Sequence, residues 1–195
     1  MYRSTTLLIF FVLGVSFAQA QTFTYGVKGG LNLARLSFGQ LTNDPVFDNT
    51  WSPSFHLGGF VRKAIGKQGG IRAELLYSTK GAYFEQQSGN NYLRLHYLSL
   101  PVLVDFRVAR KLVFEVGPEL NYLISTPQSL YNNPFDVGLD AGLRYQVTAA
   151  FELGLRYNYG LASVATLNLA SGKGGSTPVR NQALQVSLAY SLSRQ

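Results

Sequence analysis

Phe135-Asp136-Val137-Gly138-Leu139-Asp140-Ala141-Gly142-Leu143-Arg144-Tyr145 decides how this chain must be read. Every odd position is apolar, and every even position is glycine or charged. The next run repeats the pattern, with Phe151, Leu153, Leu155, Tyr157 and Tyr159 alternating with Glu152, Gly154, Arg156 and Asn158. A period of two belongs to a β-strand with one apolar and one polar face, not to a helix.

The same alternation recurs outward in both directions. It is carried by Tyr25, Val27, Leu31 and Leu33; by Phe55, Leu57 and Val61; and by Ile71, Ala73, Leu75 and Tyr77. It continues through Leu98, Leu100, Val102, Val104 and Phe106, then Phe114, Val116, Leu120 and Tyr122. It ends in Leu184, Val186, Leu188, Tyr190 and Leu192. These make eight strands of roughly 10 residues, the length at which a tilted strand crosses a bilayer. The connections alternate between long (residues 34–54, 81–91, 124–134 and 161–181) and short (63–69, 108–111 and 147–149). The expected fold is therefore all-β, an eight-stranded antiparallel up-and-down transmembrane β-barrel. Its long loops should lie outside the cell, with the short turns and both termini in the periplasm.

Composition agrees. The chain has 195 residues, enough for one domain with a real interior. It has no cysteine, which excludes disulfide scaffolds, iron–sulfur clusters and thiol nucleophiles. Only 14% of residues are charged, below the roughly 25% of soluble domains. No internal apolar run is long enough for a membrane helix. Residues 1–20 read as a secretory signal, with Arg3, an apolar stretch from Leu7 to Phe17 and the small-residue site Ala18-Gln19-Ala20. The barrel domain then spans residues 21–195, and the formal charge of +7 falls to +6 once Arg3 is lost.

Which face meets lipid follows from two patterns. The polar face carries Lys28, Arg62, Arg72, Lys80, Arg107, Arg144 and Arg156 against Glu74, Asp105, Glu115, Glu119, Asp136, Asp140 and Glu152. Seven of each sign suits a closed lumen, where an unpaired charge is costly. On the apolar face the aromatics gather at strand ends. Tyr25, Phe106, Phe114, Tyr145, Phe151 and Tyr190 mark the short-turn end; Phe55, Tyr77, Tyr122, Phe135, Tyr157 and Tyr159 mark the other. Two aromatic girdles around an aliphatic band are the signature of a membrane barrel. Phe60, Leu76 and Leu103 join the charges inside, so the lumen is expected to be filled. With a turn at 147–149, Gln146 should face Ala150, placing Arg144 opposite Glu152 and Asp140 opposite Arg156.

Several segments together resemble the PorT-like outer-membrane β-barrel family of Bacteroidota. They are residues 26–34 (GVKGGLNLA), 74–81 (ELLYSTKG), 97–103 (YLSLPVL), the Gly117-Pro118 pair and residues 154–161 (GLRYNYGL). The resemblance implies a barrel in a Gram-negative outer membrane. It implies no chemistry, although the founding member is similar to components of protein secretion and gliding.

No catalytic, cofactor or metal site is expected. Ser171-Gly172-Lys173-Gly174-Gly175-Ser176-Thr177 lacks the Ser or Thr that a phosphate loop needs after its lysine, and no helix follows. The only histidines are His56, in the lumen, and His96, at the lipid-facing outer rim, with no third ligand between them. Glu115 and Glu119 share the lumen face without a histidine opposite and read as structural ion-pair partners. The long first loop is apolar and aromatic, with Phe38, Phe47 and Trp51; the last is rich in glycine and serine. The expected function is therefore non-enzymatic, structural or binding through the outer loops. The alternatives are an accessory part of a secretion or gliding machine, a rim-site lipid-modifying enzyme and a narrow pore. Expected partners are outer-membrane lipid, lipopolysaccharide and other envelope proteins. Nucleic acid is not expected, because the basic residues do not cluster. The expected state is a monomer.

Overall fold

The computed structural model describes residues 23–37, 49–86, 89–125, 134–161, 165–168 and 176–193. The expected signal segment 1–20 and most of the glycine-rich stretch 171–177 lie outside them. The elements are β1 (Phe23–Ser37), β2 (Asn49–Thr50), β3 (Ser52–Ile65), β4 (Gly69–Gln86) and β5 (Gly89–Ala109), followed by β6 (Leu112–Ser125), β7 (Phe135–Gln146), β8 (Phe151–Gly160), β9 (Ala165–Asn168) and β10 (Ser176–Ser191).

Eight strands form the wall in the order β1-β3-β4-β5-β6-β7-β8-β10, each antiparallel to its neighbours. The wall closes because β1 also pairs with β10, from Gly26↔Ser191 to Ser37↔Arg180. Closure gives each of the eight wall strands a neighbour on both sides, which is what a sheet needs to survive in hydrocarbon. The two short strands are additions at the long-loop end, β2 against β4 and β9 against β10.

The burial pattern is inverted relative to a water-soluble domain. Among the described residues, twenty-five polar or charged side chains are buried against eight apolar ones, while Leu31, Leu57, Leu75, Leu139, Leu155 and Val186 stand exposed on the wall. Their outward band is flanked by aromatic pairs set directly across strands. Phe106 faces Phe114 and Phe151 faces Tyr190 at the short-turn end, and Tyr122 faces Phe135 at the other. The Phe151–Tyr190 and Tyr122–Phe135 ring centroids are 4.9 and 5.2 Å apart. Inside, Phe60, Leu76 and Leu103 are buried as expected.

Two features differ from the sequence reading. First, the strands overrun the expected loops. Residues 81–91 form the top of a hairpin whose ladder continues to Gln86↔Gly89. Residues 85–91 are all polar or glycine, so the apolar alternation stops while the backbone ladder persists. Second, the β7–β8 register is displaced by two residues: Gln146 faces Glu152, Arg144 faces Gly154, and Asp140 faces Asn158. The turn takes in residues 147–150. Val147 N and Thr148 N donate to Phe151 O (3.0 and 3.2 Å), and the Thr148 hydroxyl accepts from Ala150 N and Phe151 N (3.2 and 3.0 Å). A threonine turn of this kind sets the loop length, and loop length sets the register.

The ladder is also interrupted on both sides of β5, against β4 between Ala73↔Val102 and Leu76↔Ser99 as well as against β6. Pairing of β5 with β6 is interrupted between Pro101↔Glu119 and Val104↔Val116. Pro101 and Pro118 have no N–H to give the ladder. A Cβ on Gly117 would lie 2.0 Å from Val102 O, so only glycine permits this approach.

Candidate functional site

The charges of the polar face meet in one connected network along the barrel axis. At the short-turn mouth Arg62 grips Asp105 with two bonds, Nε–Oδ2 at 2.6 Å and Nη2–Oδ1 at 2.7 Å. Arg144 links Asp105 (2.8 Å), Glu115 (2.6 Å) and Glu152 (2.9 Å). Arg72 bridges Glu152 (2.7 Å) and Glu74 (2.8 Å), and its guanidinium lies 3.7 Å from the Phe60 ring centre. Arg156 is the hub of the middle. It donates to Glu74 at 2.9 and 3.1 Å and to Glu115 through Nε at 2.9 Å, and it lies 3.6 Å from Asp140. Lys28 completes the Glu74 cluster at 2.8 Å.

Toward the long-loop end, Lys80 binds Glu119 at 2.6 Å with Asn121 and Asn158 nearby, each at 3.3 Å. Asn158 ties this group to the middle by donating to Glu119 (3.1 Å) and Asp140 (2.7 Å). Asn181 spans Asp136 (3.0 Å) and Tyr97 Oη (3.1 Å). Ser99 and Asn121 hydrogen-bond beside them. The asparagines were not singled out by charge counting. Their signal is position alone: polar residues on the same parity as the charges.

Thirteen of the fourteen expected lumen charges enter this network. Arg107 does not; it sits exposed at the short-turn mouth, past which the β5–β6 register shifts. The network thus holds six cations against seven carboxylates rather than seven of each. The displaced β7–β8 register does not part the expected pairs. Arg144 reaches Glu152 diagonally, and Arg156 approaches Asp140 diagonally, because Gly154 and Gly142 stand opposite the arginines and leave the space open.

The geometry is that of a structural plug. Among the described residues, each lumen carboxylate is held by cations or amides, and none faces a serine–histidine pair. His56 Nδ1 donates to Asn32 Oδ1 (2.7 Å), whose Nδ2 donates to Phe55 O, Ser78 Oγ and Thr79 O at 3.2, 3.2 and 3.0 Å. His96 belongs to the outer girdle, sharing a 2.6 Å hydrogen bond with Tyr77 Oη. The two histidines therefore have different neighbours and do not converge. Eight strands enclose only about enough room for side chains to fill, and the bridged charges fill it among the described residues. Planar-bilayer recording of the purified barrel should accordingly show no stable open channel; reproducible ohmic steps would contradict the packing described here.

Comparison with known proteins agrees with this architecture. The family profile described as "Outer membrane protein beta-barrel domain" matches residues 17–166. No protein of curated function matches the chain. Among solved structures, the chain is similar to Neisserial surface protein A, at TM-score 0.52 and 17% identity, covering 87% of this chain and 99% of that one. It is similar to Ail, the attachment invasion locus protein of Yersinia pestis, at TM-score 0.51 and 14% identity, covering 87% and 98%. It is also similar to the outer membrane protein OprG of Pseudomonas aeruginosa, at TM-score 0.50 and 10% identity, covering 89% and 98%. At these identities the likeness is one of fold: a closed, eight-stranded, outer-membrane barrel. The extent of the profile match sets the family, and this chain belongs to the outer membrane protein β-barrel domain family.

Proposed function

We propose that this barrel is a non-enzymatic platform, anchored in the outer membrane, that presents its long-loop end to ligands or partners outside the cell. In this reading residues 1–20 are removed on export, and both termini and the short turns lie in the periplasm. The observation that carries the proposal is the unequal finish of the two ends. About 9–11 tilted residues cross a bilayer, yet β4 and β5 run for 18 and 21 residues. The excess stands at the long-loop end, where β2 and β9 thicken it into a collar. The opposite end is cut to turns of two to four residues. Chain is spent where a partner would be met, and the lumen charges are spent on one another.

The collar's cations give it a lipid partner. Arg94 is exposed, Arg35 lies 4.8 Å from the Trp51 ring centre, and Arg180 donates to Tyr159 Oη at 3.4 Å. Cations at this height suit the phosphates of lipopolysaccharide. Kinship with the PorT-like barrels of Bacteroidota is part of the same proposal and rests on the quoted motifs. The test is orientation in cells. A membrane-impermeant maleimide should label Arg94→Cys on intact cells and Lys67→Cys only after the outer membrane is permeabilised; the reverse pattern would overturn the proposal.

A further inference from the structure

The short-turn mouth holds a cavity of about 80 Å³ whose lining has more positive charge than its carboxylates can use. Four cations line it, Arg62, Lys67, Arg107 and Arg144, against Asp105 and Glu152. Both carboxylates are already occupied. Asp105 Oδ1 accepts from Arg62 and Oδ2 from Arg62 and Arg144. Glu152 Oε1 accepts from Arg144 and Oε2 from Arg72. Lys67 and Arg107 are left with no acidic partner among the described residues.

The backbone holds these two together. Gly66, at φ +65°, turns the chain so that Lys67 and Gln68 close the β3–β4 hairpin. Arg107 N then donates to Gln68 O at 2.7 Å, one step beyond the Gly69↔Phe106 pair. Thr24, Gln68 and Gln146 add neutral polar groups to the lining. Lys63, Arg110 and Lys111 stand on the same end, again without a salt bridge among the described residues. Lys67 and Arg107 at the cavity, with Lys63, Arg110 and Lys111 outside its lining on the same end, form a positive field that no further acid among the described residues offsets.

We propose that the short-turn mouth is an anion-binding site that takes one phosphate-type oxyanion between Lys67 and Arg107. The planar guanidinium suits two oxygens of such a group, and the lysine adds a point charge. The cavity has room for one phosphate-sized group. The ligand has two sources with this chemistry: a soluble phosphate compound, or the headgroup of an anionic phospholipid in the adjoining leaflet. The site itself does not depend on the orientation proposed above, which bears only on where the ligand comes from.

The test uses the whole folded barrel in uncharged detergent micelles. Inorganic phosphate is titrated at constant ionic strength while the backbone amides of Lys67, Gln68 and Arg107 are followed by NMR. Saturable shifts confined to that mouth are expected. The double variant Lys67→Gln/Arg107→Gln should bind at least tenfold more weakly, yet keep the same heat-dependent gel mobility, because neither residue enters the lumen network. A parallel arm uses nanodiscs of phosphatidylcholine with and without phosphatidylglycerol. Shifts of the same amides that appear with phosphatidylglycerol, and that phosphate displaces, assign the site to lipid. Phosphate saturation with no response to phosphatidylglycerol assigns it to a soluble anion. Absence of saturation in the native barrel, or equal affinity in the double variant, would overturn the proposal.

Discussion

Replacing Arg156 with methionine should destabilise the barrel by about 3–5 kcal/mol, the usual cost of stripping one partner from a buried ion cluster. Arg156 is 2% exposed and stands between Glu74, Glu115 and Asp140. Its loss leaves three carboxylates facing one another in a space where water does not screen them. Arg144 still holds Glu115, and Lys28 and Arg72 still hold Glu74, so the barrel should fold but melt earlier. Denaturant unfolding in micelles reads the cost. A double-mutant cycle then tests the wiring. Glu115→Gln should recover part of the loss, because Arg156 donates directly to Glu115. Asp140→Asn should recover little, because Asp140 is 3.6 Å from Arg156 and is held by Asn158 at 2.7 Å. Additive behaviour with Glu115 would show that the arginine does not act through that contact.

Leu155→Arg should be nearly as damaging for the opposite reason. Leu155 is half exposed in the structure and faces Leu143 and Val186 across the wall, in the aliphatic band between the girdles. A charge there meets hydrocarbon, and an arginine on the lipid face near the bilayer midplane costs about 2–4 kcal/mol. The same substitution in a soluble β-barrel with a solvated exterior would be nearly neutral. A change within about 0.5 kcal/mol in lipid vesicles would mean that the band does not face acyl chains.

Those two substitutions act on the part of the structure that was legible in the sequence. Alternation such as Leu153-Glu152 or Leu139-Asp140 assigns each residue to a face because a strand has only two faces. It does not assign register, since a slip of two residues preserves every face. Opposite charge on the lumen face does not break that degeneracy for β7 and β8, because arginine reaches one step diagonally as readily as straight across, and the hydroxyl of Thr148 decides the turn. Contacts across the lumen were illegible for another reason. Arg156 and Glu74 are 82 residues apart and meet only through the stagger of a closed wall, which no local pattern encodes. The collar was hidden because residues 85–91 carry no apolar side chains for a period of two to register. Arg107 was misplaced because parity gives a face and says nothing of depth.

The defining arrangement of this barrel is an apolar face turned outward into lipid with the charged residues inward. It is tested most directly by exposing the methyl groups to a paramagnet confined to the acyl chains, without altering a residue. With a doxyl-labelled lipid in the micelle or nanodisc, the methyl signals of Leu139, Leu143, Leu153, Leu155 and Val186 should broaden strongly. Those of Leu76, Leu95 and Leu103, which are 1%, 0% and 0% exposed, should remain sharp. Broadening of the second set with sparing of the first would contradict the account.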